Sequence, residues 1–345
     1  MRKILNFILA ALAVMMVLAL RCRASDLTGT TAANFLKIPV APIPTGMAQA
    51  YTAIAGPDSI LYNPAGLGLM SYSALSVAHN QYIEGITQEY AAIALHTSIG
   101  TFGAGFSTLS SGSIDAYDEN GASAGTTSSG HMLGVLSFSQ SFPHWNRDEN
   151  AQDKRLMLSG WSRIADVEAY RPGTMRVSIG ASLKYVRERL DDVSASAVTG
   201  DAGIVLSPVK RLQLGASVLN ISGRQDFGSD GFALARTVRA GAAADFVGRK
   251  RLIVFRPSAD YVKESDADGY YCSGLEISML QLFQLRIGYR SNRDLGTGLA
   301  FGAGITLDRF AEEDSFFNGV RMDYAYSNEG TFNASHRFGF QILFR

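Results

Sequence analysis

Alternation of apolar and polar residues is the dominant pattern over most of this chain. In "MRVSIGASLKY" every second residue from Met175 to Tyr185 is apolar, and the residues between them are polar, charged or glycine. The segments "FQLRIGYR" from Phe283, "LAFGAGITL" from Leu299 and "HRFGFQILF" from His336 repeat the pattern. A period of two places the two sets of side chains on opposite faces of a β-strand. The pattern therefore predicts a chain made mainly of strands.

The polar face of these strands favours a membrane barrel over a soluble β-sandwich, which would also alternate. Glycines and serines are mixed with arginines on that face, which suits a curved wall around a wet, partly filled interior. Tyr and Phe recur near the ends of the apolar faces, as in the aromatic girdles of a lipid-facing band. We therefore predict an all-β transmembrane antiparallel β-barrel, within residues 71–345.

About fourteen segments are candidate strands, an even number that is usual for such barrels. The predicted strands are 74–80, 87–97, 100–115, 130–142, 174–188, 194–207, 211–221, 235–246, 250–263, 270–280, 283–291, 298–308, 318–327 and 333–345. The second, sixth, eighth and tenth connections are tight, whereas the odd-numbered connections, including "RLDDVSA", are longer or more acidic. Outer-membrane barrels have short periplasmic turns and longer outer loops in the same way.

One predicted connection breaks that rule. Residues 143–173 form a long insertion on the side expected to be periplasmic, and they contain both tryptophans of the chain, Trp145 and Trp161. Tryptophan is common both in protein interfaces and at the level of the lipid headgroups. A partner site at these two residues and a simple interfacial location both stay open.

The first residues predict export. Arg2 and Lys3 precede an apolar run over 7–20 and a small-residue site at 22–24, which is typical of a signal peptide spanning 1–24. Its removal takes four basic residues and no acidic one, so the balance changes from 31 basic against 31 acidic residues to 27 against 31. This mildly acidic chain does not indicate nucleic-acid binding. Only Cys272 remains, so no internal disulfide is expected.

Sequence motifs give no indication of an enzyme. The five histidines lack metal-ligand spacing, and no Gly-x-Ser-x-Gly elbow, phosphate loop or Cys-x-x-Cys pair is present. We predict no catalytic residue, no cofactor and no metal site. The charged residues at inward positions either bind an anionic head group or form salt bridges that fill the lumen; they are Arg176, Lys184, Asp201, Glu276, Arg286, Arg290 and Arg321.

A compact segment precedes the first strand, within a predicted N-terminal unit of residues 25–70. Residues 47–55 are small and compatible with a helix, and Gly56-Pro57 ends that stretch. Asp58 is predicted to cap a second short turn, which Asn63-Pro64-Ala65-Gly66 would end. Such a segment can fold back into a barrel lumen as a plug. The predicted hatch residues are Asp58, Asn63, Pro64, Ala65, Gly66 and Leu67, with Asp58 and Asn63 as structural caps first and gate elements second.

The stretch "FLKIPVAPIPTGMAQAYTAIAGPDSILYNPAGL", residues 35–67, resembles the N-terminal signature of the PorV/PorQ-like outer-membrane proteins, which are related to the FadL-type channels. The Asn-Pro-Ala-Gly motif is shared with the FadL type, and the last strand, in "MDYAYSNEGTFNASHRFGFQILF", also resembles the family. The resemblance implies a barrel of about fourteen strands with a hatch around residues 63–66, consistent with known strand numbers.

Two functions follow from that resemblance as expectations. FadL-type channels pass hydrophobic molecules beyond the hatch and through a gap in the wall, whereas PorV carries secreted proteins of the type IX pathway to their processing enzyme. The expected partners are therefore outer-membrane lipid, the barrel-assembly machinery, and either a hydrophobic small molecule or a secreted protein client. A purely structural barrel is the third alternative, and the expected location is the outer membrane of a Gram-negative-type bacterium.

Overall fold

The alternating segments form strands, as the pattern predicts. The structure is a computed structural model, and it describes residues 30–143, 175–209, 211–227, 230–248, 252–280, 282–292, 296–307 and 317–344. The strands within these ranges are β1 Ser73–Gln81, β2 Thr87–Thr97, β3 Gly100–Tyr117, β4 Ser123–Phe142, β5 Arg176–Leu190, β6 Val193–Val209, β7 Leu212–Leu219, β8 Arg224–Phe227, β9 Asp230–Ala233, β10 Thr237–Ala244, β11 Phe246–Val247, β12 Ile253–Glu264, β13 Tyr270–Met279, β14 Phe283–Arg290, β15 Leu299–Leu307, β16 Phe317–Asn328 and β17 Ala334–Phe344.

Antiparallel pairing closes these strands into a barrel. Each strand of the wall pairs with the next one around the barrel: β1 pairs with β17, and β10 pairs with both β7 and β12. Strand β11 continues β10 and pairs with β12, while β8 and β9 form a separate hairpin in the connection from β7 to β10. The wall therefore has fourteen strand positions, and the predicted fold class is confirmed.

Two details differ from the sequence prediction. Strand β4 begins at Ser123 rather than near 130, because "SAGTTSS" pairs with the end of β3 although it lacks the alternation that marks a lipid-facing strand. The β5–β6 connection, predicted as a longer loop, is only Asp191-Asp192, because the ladder continues to Leu190 opposite Val193. Strands β3 to β6 thus rise well above β7 and β10 at this end of the barrel, which we call the loop end. The opposite end, with the tight turns after β2, β6 and β13, is the short-turn end.

The outer face of the wall is an apolar belt. Leu183, Ile287 and Phe301 expose 58%, 46% and 44% of their surface in the middle of their strands. Phenylalanines such as Phe102, Phe138, Phe142, Phe246, Phe255 and Phe283 lie outward near the short-turn end, and the outward tyrosines Tyr261, Tyr271 and Tyr289 lie near the loop end. Aromatic residues at both edges of an apolar band are typical of membrane barrels.

The inner face is polar, yet most of its side chains are buried. Residues 30–72 fold inside the wall and cover them, and we call this segment the plug. It contains 3-10 helices at Asn34–Lys37, Pro57–Leu61 and Pro64–Leu69 and one short α-helix, α1, at Pro42–Gly46. Within the described ranges, no helix is long and apolar enough to cross a membrane.

Candidate functional site: the plug and its contacts with the wall

Asn63 joins the plug to the wall and begins its last helix. The side-chain Oδ1 accepts a hydrogen bond from the Ala65 backbone N–H at 3.1 Å, so Asn63 is the N-cap of Pro64–Leu69. The predicted turn at Asn63-Pro64-Ala65-Gly66 follows the end of the helix Pro57–Leu61, and Asn63 caps the helix that begins there. Its Nδ2 donates to the carbonyl oxygens of Thr52 at 2.8 Å and Ile204 on β6 at 3.1 Å. Two of these three hydrogen bonds organise the plug itself, and the one to Ile204 fastens it to the wall.

Glycines in the wall allow the plug backbone to approach. A Cβ atom on Gly180 of β5 would lie 2.5 Å from the Ala65 nitrogen and 2.5 Å from the Pro64 carbonyl carbon. A Cβ on Gly203 of β6 would lie 1.9 Å from Asn63 Oδ1. Beside Gly180, the Ser178 hydroxyl donates to the Ala65 carbonyl at 2.6 Å. Small residues on the polar face thus form a seat for the Asn-Pro-Ala-Gly turn.

Asp58 lies on the opposite side of the plug and binds the first and last strands. Its Oδ1 accepts from Ser76 Oγ of β1 at 2.8 Å, and its Oδ2 accepts from Gln341 Nε2 of β17 at 3.0 Å. Asp58 lies inside the helix Pro57–Leu61 and does not cap it, which corrects the predicted role. Burial raises the pKa of Asp58 to about 7; the hydrogen bonds and Arg286 act to lower it, and Asp323 acts to raise it.

A second carboxylate holds the middle of the plug. Asp260 Oδ2 on β12 accepts from the backbone N–H groups of Tyr51 and Thr52, both at 3.0 Å, and from Thr52 Oγ1 at 2.6 Å. Arg239 on β10 pairs with Asp260 at 3.1 Å and donates to the Gln49 carbonyl. Residues 47–55 therefore do not form the helix that the sequence allowed. Ala48 and Gln49 instead have φ angles of 47° and 67°.

Four charged side chains form an inward network across β13 to β16. Arg286 pairs with Glu276 at 2.8 Å and with Asp323 at 2.8 Å, and Arg321 pairs with Asp323 at 2.8 Å. The network crosses β15 because Gly304 has no side chain there; a Cβ would lie 2.3 Å from Asp323 Oδ1. The plug helix α1 rests beside it, since a Cβ on Gly46 would come within 3.0 Å of the β15 backbone at Gly302.

The remaining predicted lumen charges also face inward. Lys184 pairs with Asp201 at 2.7 Å and donates to Asn220 at 3.2 Å. Arg176 donates to the Gly68 carbonyl at 3.2 Å, and the Arg290 guanidinium lies 3.9 Å from the centre of the Tyr270 ring. Most of these groups form structural pairs, one of the two alternatives left open. Trp145 and Trp161 lie outside the described residues.

Sequence reasoning missed Arg239, Asp260, Arg256, Asp245 and Asp323, which all lie in predicted strands or at their ends. Their inward direction was available from the alternation of the strands over 235–246, 250–263 and 318–327. What the alternation does not show is which inward charges meet, because partners depend on strand register and on the path of the plug.

An apolar cavity lies between the plug and the wall at the loop end. Its volume is about 70 Å³, and Phe35, Leu36, Ile38, Leu61, Leu133 and Leu219 are among its lining residues. The rest of its lining is partly polar and includes Lys37, Gln49, Gln88, Ser107, Lys184, Asn220, Thr237, Arg239 and Glu264. An engineered cavity of about 150 Å³ holds benzene, so this cavity is too small for an aromatic ring without movement.

The wall from β2 to β4 has no gap beside the plug. Every residue from Thr87 to Thr97 of β2 is paired with β3, and the β3–β4 ladder is continuous from Thr101 to Ser110. A concave apolar groove of about 470 Å³ crosses the outside of β1 to β6 over the outward-facing Gly134. The gap implied by the family resemblance is therefore absent from this part of the wall in this conformation.

Comparisons with known proteins find solved structures of similar fold but no protein of similar sequence. The chain matches no protein-family model and no curated protein. Its fold is similar to the Ralstonia pickettii toluene transporter TbuX, with a TM-score of 0.53 and 10% identity over 88% of this chain and 97% of that one. The Pseudomonas putida toluene transporter TodX has a TM-score of 0.52 and 10% identity over 88% of this chain and 96% of that one. The TodX deltaS2S3 mutant monoaromatic hydrocarbon channel has a TM-score of 0.52 and 11% identity over 88% of this chain and 98% of that one.

The fold is therefore that of these hydrocarbon-channel barrels. At 10–11% identity the similarity concerns architecture alone.

Proposed function

We propose that the protein is an outer-membrane channel of the FadL type that passes hydrophobic small molecules, with residues 58–67 of the plug as its gate. The observation that carries the proposal is a bore closed by a plug that polar contacts from several strands hold in place, beside an internal cavity with one apolar side. The fold shared with toluene transporters supports it. Export through a signal peptide and insertion by the barrel-assembly machinery are parts of the same proposal.

Passage requires movement of the plug. The apolar cavity of about 70 Å³ does not reach the size that holds a benzene ring, about 150 Å³. Segment 58–67 is suited to such movement because polar atoms make many of its contacts with the wall, and water can replace a hydrogen-bond partner at a net cost of about 0.5–1.5 kcal/mol each.

A disulfide lock tests the gate. A Cβ on Gly68 would lie 2.5 Å from Ser139 Oγ of β4, close enough for cysteines at both positions to bond. The variant Gly68→Cys/Ser139→Cys, in a Gram-negative host without its own hydrocarbon channels, is expected to take up labelled toluene only after reduction. Deletion of 45–67 is expected to abolish gated uptake and leave a permanent leak.

The single variants Gly68→Cys and Ser139→Cys are the matched controls, because each carries the same substitution without the bond. Uptake that is equal in the oxidised and reduced double variant, with the disulfide verified, contradicts the gate. Uptake that never exceeds that of the empty host contradicts the channel itself. The alternative of a protein-export accessory gains no support here, since its predicted contacts Trp145 and Trp161 lie outside the described residues.

A further inference from the structure

The apolar groove on the outside of the wall has a glycine as its floor. It crosses β1 to β6 within the apolar belt and has a volume of about 470 Å³. Gly134 of β4 lies at its centre, between Phe106 on β3 and Tyr185 on β5. Leu183 and Val198 continue the side beyond β4, and both are more than half exposed. We call this feature the outer groove.

Neither the backbone nor the packing of the barrel requires a glycine at position 134. Its φ angle is not positive, and the ladders on both sides of β4 pass it without a register shift. A Cβ atom there would meet nothing within 4 Å. Glycine weakens a strand, and inside one it often marks a bulge or the close approach of another backbone or a ligand. Since there is no bulge and no neighbouring backbone at Gly134, the space above it is suited to a molecule from outside the chain.

Two exposed arginines lie beside the outer groove, on its loop-end side. Arg187 and Arg189 follow Tyr185 on the outward face of β5, about 7 Å and 13 Å further along the strand. Arg187 donates to Ser194 Oγ at 3.5 Å, and Arg189 donates to the backbone carbonyl of Asp191 at 3.1 Å. Neither guanidinium pairs with a carboxylate in the described part of the chain. Both therefore have donors left for an anion.

The position of these arginines corresponds to the level of lipid headgroups. Tyr185 is outward-facing like the tyrosines of the belt edge at the loop end, and such aromatic residues mark the boundary between hydrocarbon and headgroups. Short turns are periplasmic in outer-membrane barrels, so the loop end belongs to the outer leaflet. The residues opposite the two arginines in the ladders carry no charge; they are Gly130 and Met132 on β4 and Ser194 and Ser196 on β6.

We propose that the outer groove binds one anionic lipid of the outer leaflet, with an acyl chain over Gly134 and the phosphate at Arg187 and Arg189. An apolar groove with guanidinium groups at its headgroup end complements both parts of such a lipid, because arginine binds phosphate with two parallel hydrogen bonds. The site lies on the face of the wall opposite to the plug, so it does not depend on the proposed transport. The bound lipid is a component of the membrane and not cargo.

Native mass spectrometry of the full-length protein in a nonionic detergent tests this proposal, because it counts bound lipids and also reports the oligomeric state. The probes are phosphatidylglycerol, phosphatidylcholine with the same acyl chains, and inorganic phosphate. One phosphatidylglycerol is expected to bind more tightly than phosphatidylcholine. Arg187→Gln is expected to weaken phosphatidylglycerol about fivefold, and Arg187→Gln/Arg189→Gln about 30-fold, given the contribution of a basic residue beside anionic lipid. Phosphatidylcholine is expected to change much less.

Gly134→Leu tests the acyl chain, because the leucine fills the groove and removes its contacts with the lipid. It is expected to weaken both lipids several-fold and to the same extent. Ala303→Leu is its matched control, since Ala303 also faces outward, on β15 at the other side of the barrel. Arg224→Gln is the control for the arginines, because Arg224 lies at the loop end with 69% of its side chain accessible. Neither control is expected to change lipid affinity.

Four results would overturn the proposal. Equal affinity of the unchanged protein, Arg187→Gln and Arg224→Gln for phosphatidylglycerol would exclude the arginines from the site. Equal affinity of Gly134→Leu and Ala303→Leu would exclude the groove. Displacement of phosphatidylglycerol by inorganic phosphate would assign the arginines to a free anion. A lipid-free dimer that is lost in Gly134→Leu would assign the groove to a second copy of this chain.

Discussion

The contact between Gly180 and the Asn-Pro-Ala-Gly turn can be tested with a single methyl group. In Gly180→Ala the new Cβ would lie 2.5 Å from the backbone at Pro64 and Ala65, whereas an ordinary contact needs at least 3.4 Å. The plug backbone therefore has to move by about 0.9 Å, the difference between these distances. A backbone segment cannot relieve the clash by rotating a side chain, and the shift pulls the Ala65 carbonyl away from Ser178.

The expected cost comes from two effects. Overpacking costs about 1–3 kcal/mol and the weakened hydrogen bond about 1 kcal/mol, so local opening of the plug becomes about 30-fold to 1000-fold more frequent. Hydrogen exchange at the amides of residues 58–67 measures that frequency directly. Exchange in the strands is expected to stay unchanged, because their pairing is not affected.

Two controls make the result decisive. Gly134 faces outward and a Cβ there meets nothing within 4 Å, so Gly134→Ala is expected to leave exchange in the plug unaltered. In a chain that lacks 45–67, Gly180→Ala has no backbone to meet and is expected to have no effect, which isolates the contact as in a double-mutant cycle. Equal exchange in Gly180→Ala and Gly134→Ala would refute the close approach of plug and wall.

Three further changes have defined outcomes. The pKa of Asp58 in the folded protein, about 7, lies above the ordinary value of 3.8. The protection of the plug amides from hydrogen exchange is therefore expected to fall as the pH rises from 4 to 7, and Asp58→Asn is expected to remove this pH dependence. Asp260→Ala leaves Arg239 buried without its carboxylate and is expected to cost about 3–5 kcal/mol, seen first as faster exchange at Tyr51 and Thr52. Ile287→Arg puts a charge on the middle of the apolar belt and is expected to lower the free energy of unfolding in bilayers by about 2–4 kcal/mol, whereas an unchanged value would argue against lipid contact there.

The wall could be predicted from the sequence because lipid contact acts on each strand separately. One face of every spanning strand has to be apolar, so a period of two marks the strand without knowledge of its neighbours. The seven predicted inward charges point inward for the same reason. The start of β4 at Ser123 was missed because strands beyond the apolar belt do not need an apolar face. A Ser/Thr-rich hairpin can extend there on backbone pairing alone.

Partners of the inward charges depend on information that is not local. Glu276 and Arg286 lie directly opposite each other on β13 and β14, so this pair needs only the register. The pair of Arg286 with Asp323 crosses β15, and it forms because Gly304 leaves the space empty. The fold of the plug is less local still, since Asp260 holds the backbone of Tyr51 and Thr52 in a turn where the residue types alone allow a helix.

The packing of the plug decides how far the gate can open. Met47, Tyr51, Ile54, Ile60 and Leu67 are at most 2% exposed. Release of the whole plug would expose all five, at a cost of about 1.5–3 kcal/mol each and about 10 kcal/mol together. Of these five, a shift of residues 58–67 alone exposes only Ile60 and Leu67, and water replaces the polar contacts of Asp58 and Asn63. The charges of the wall favour the same limited motion, because Asp260 and Arg239 keep their partners while the segment beyond Thr52 moves. The gate is therefore expected to open by local displacement of 58–67, with helix α1 and residues 47–52 still seated on the wall.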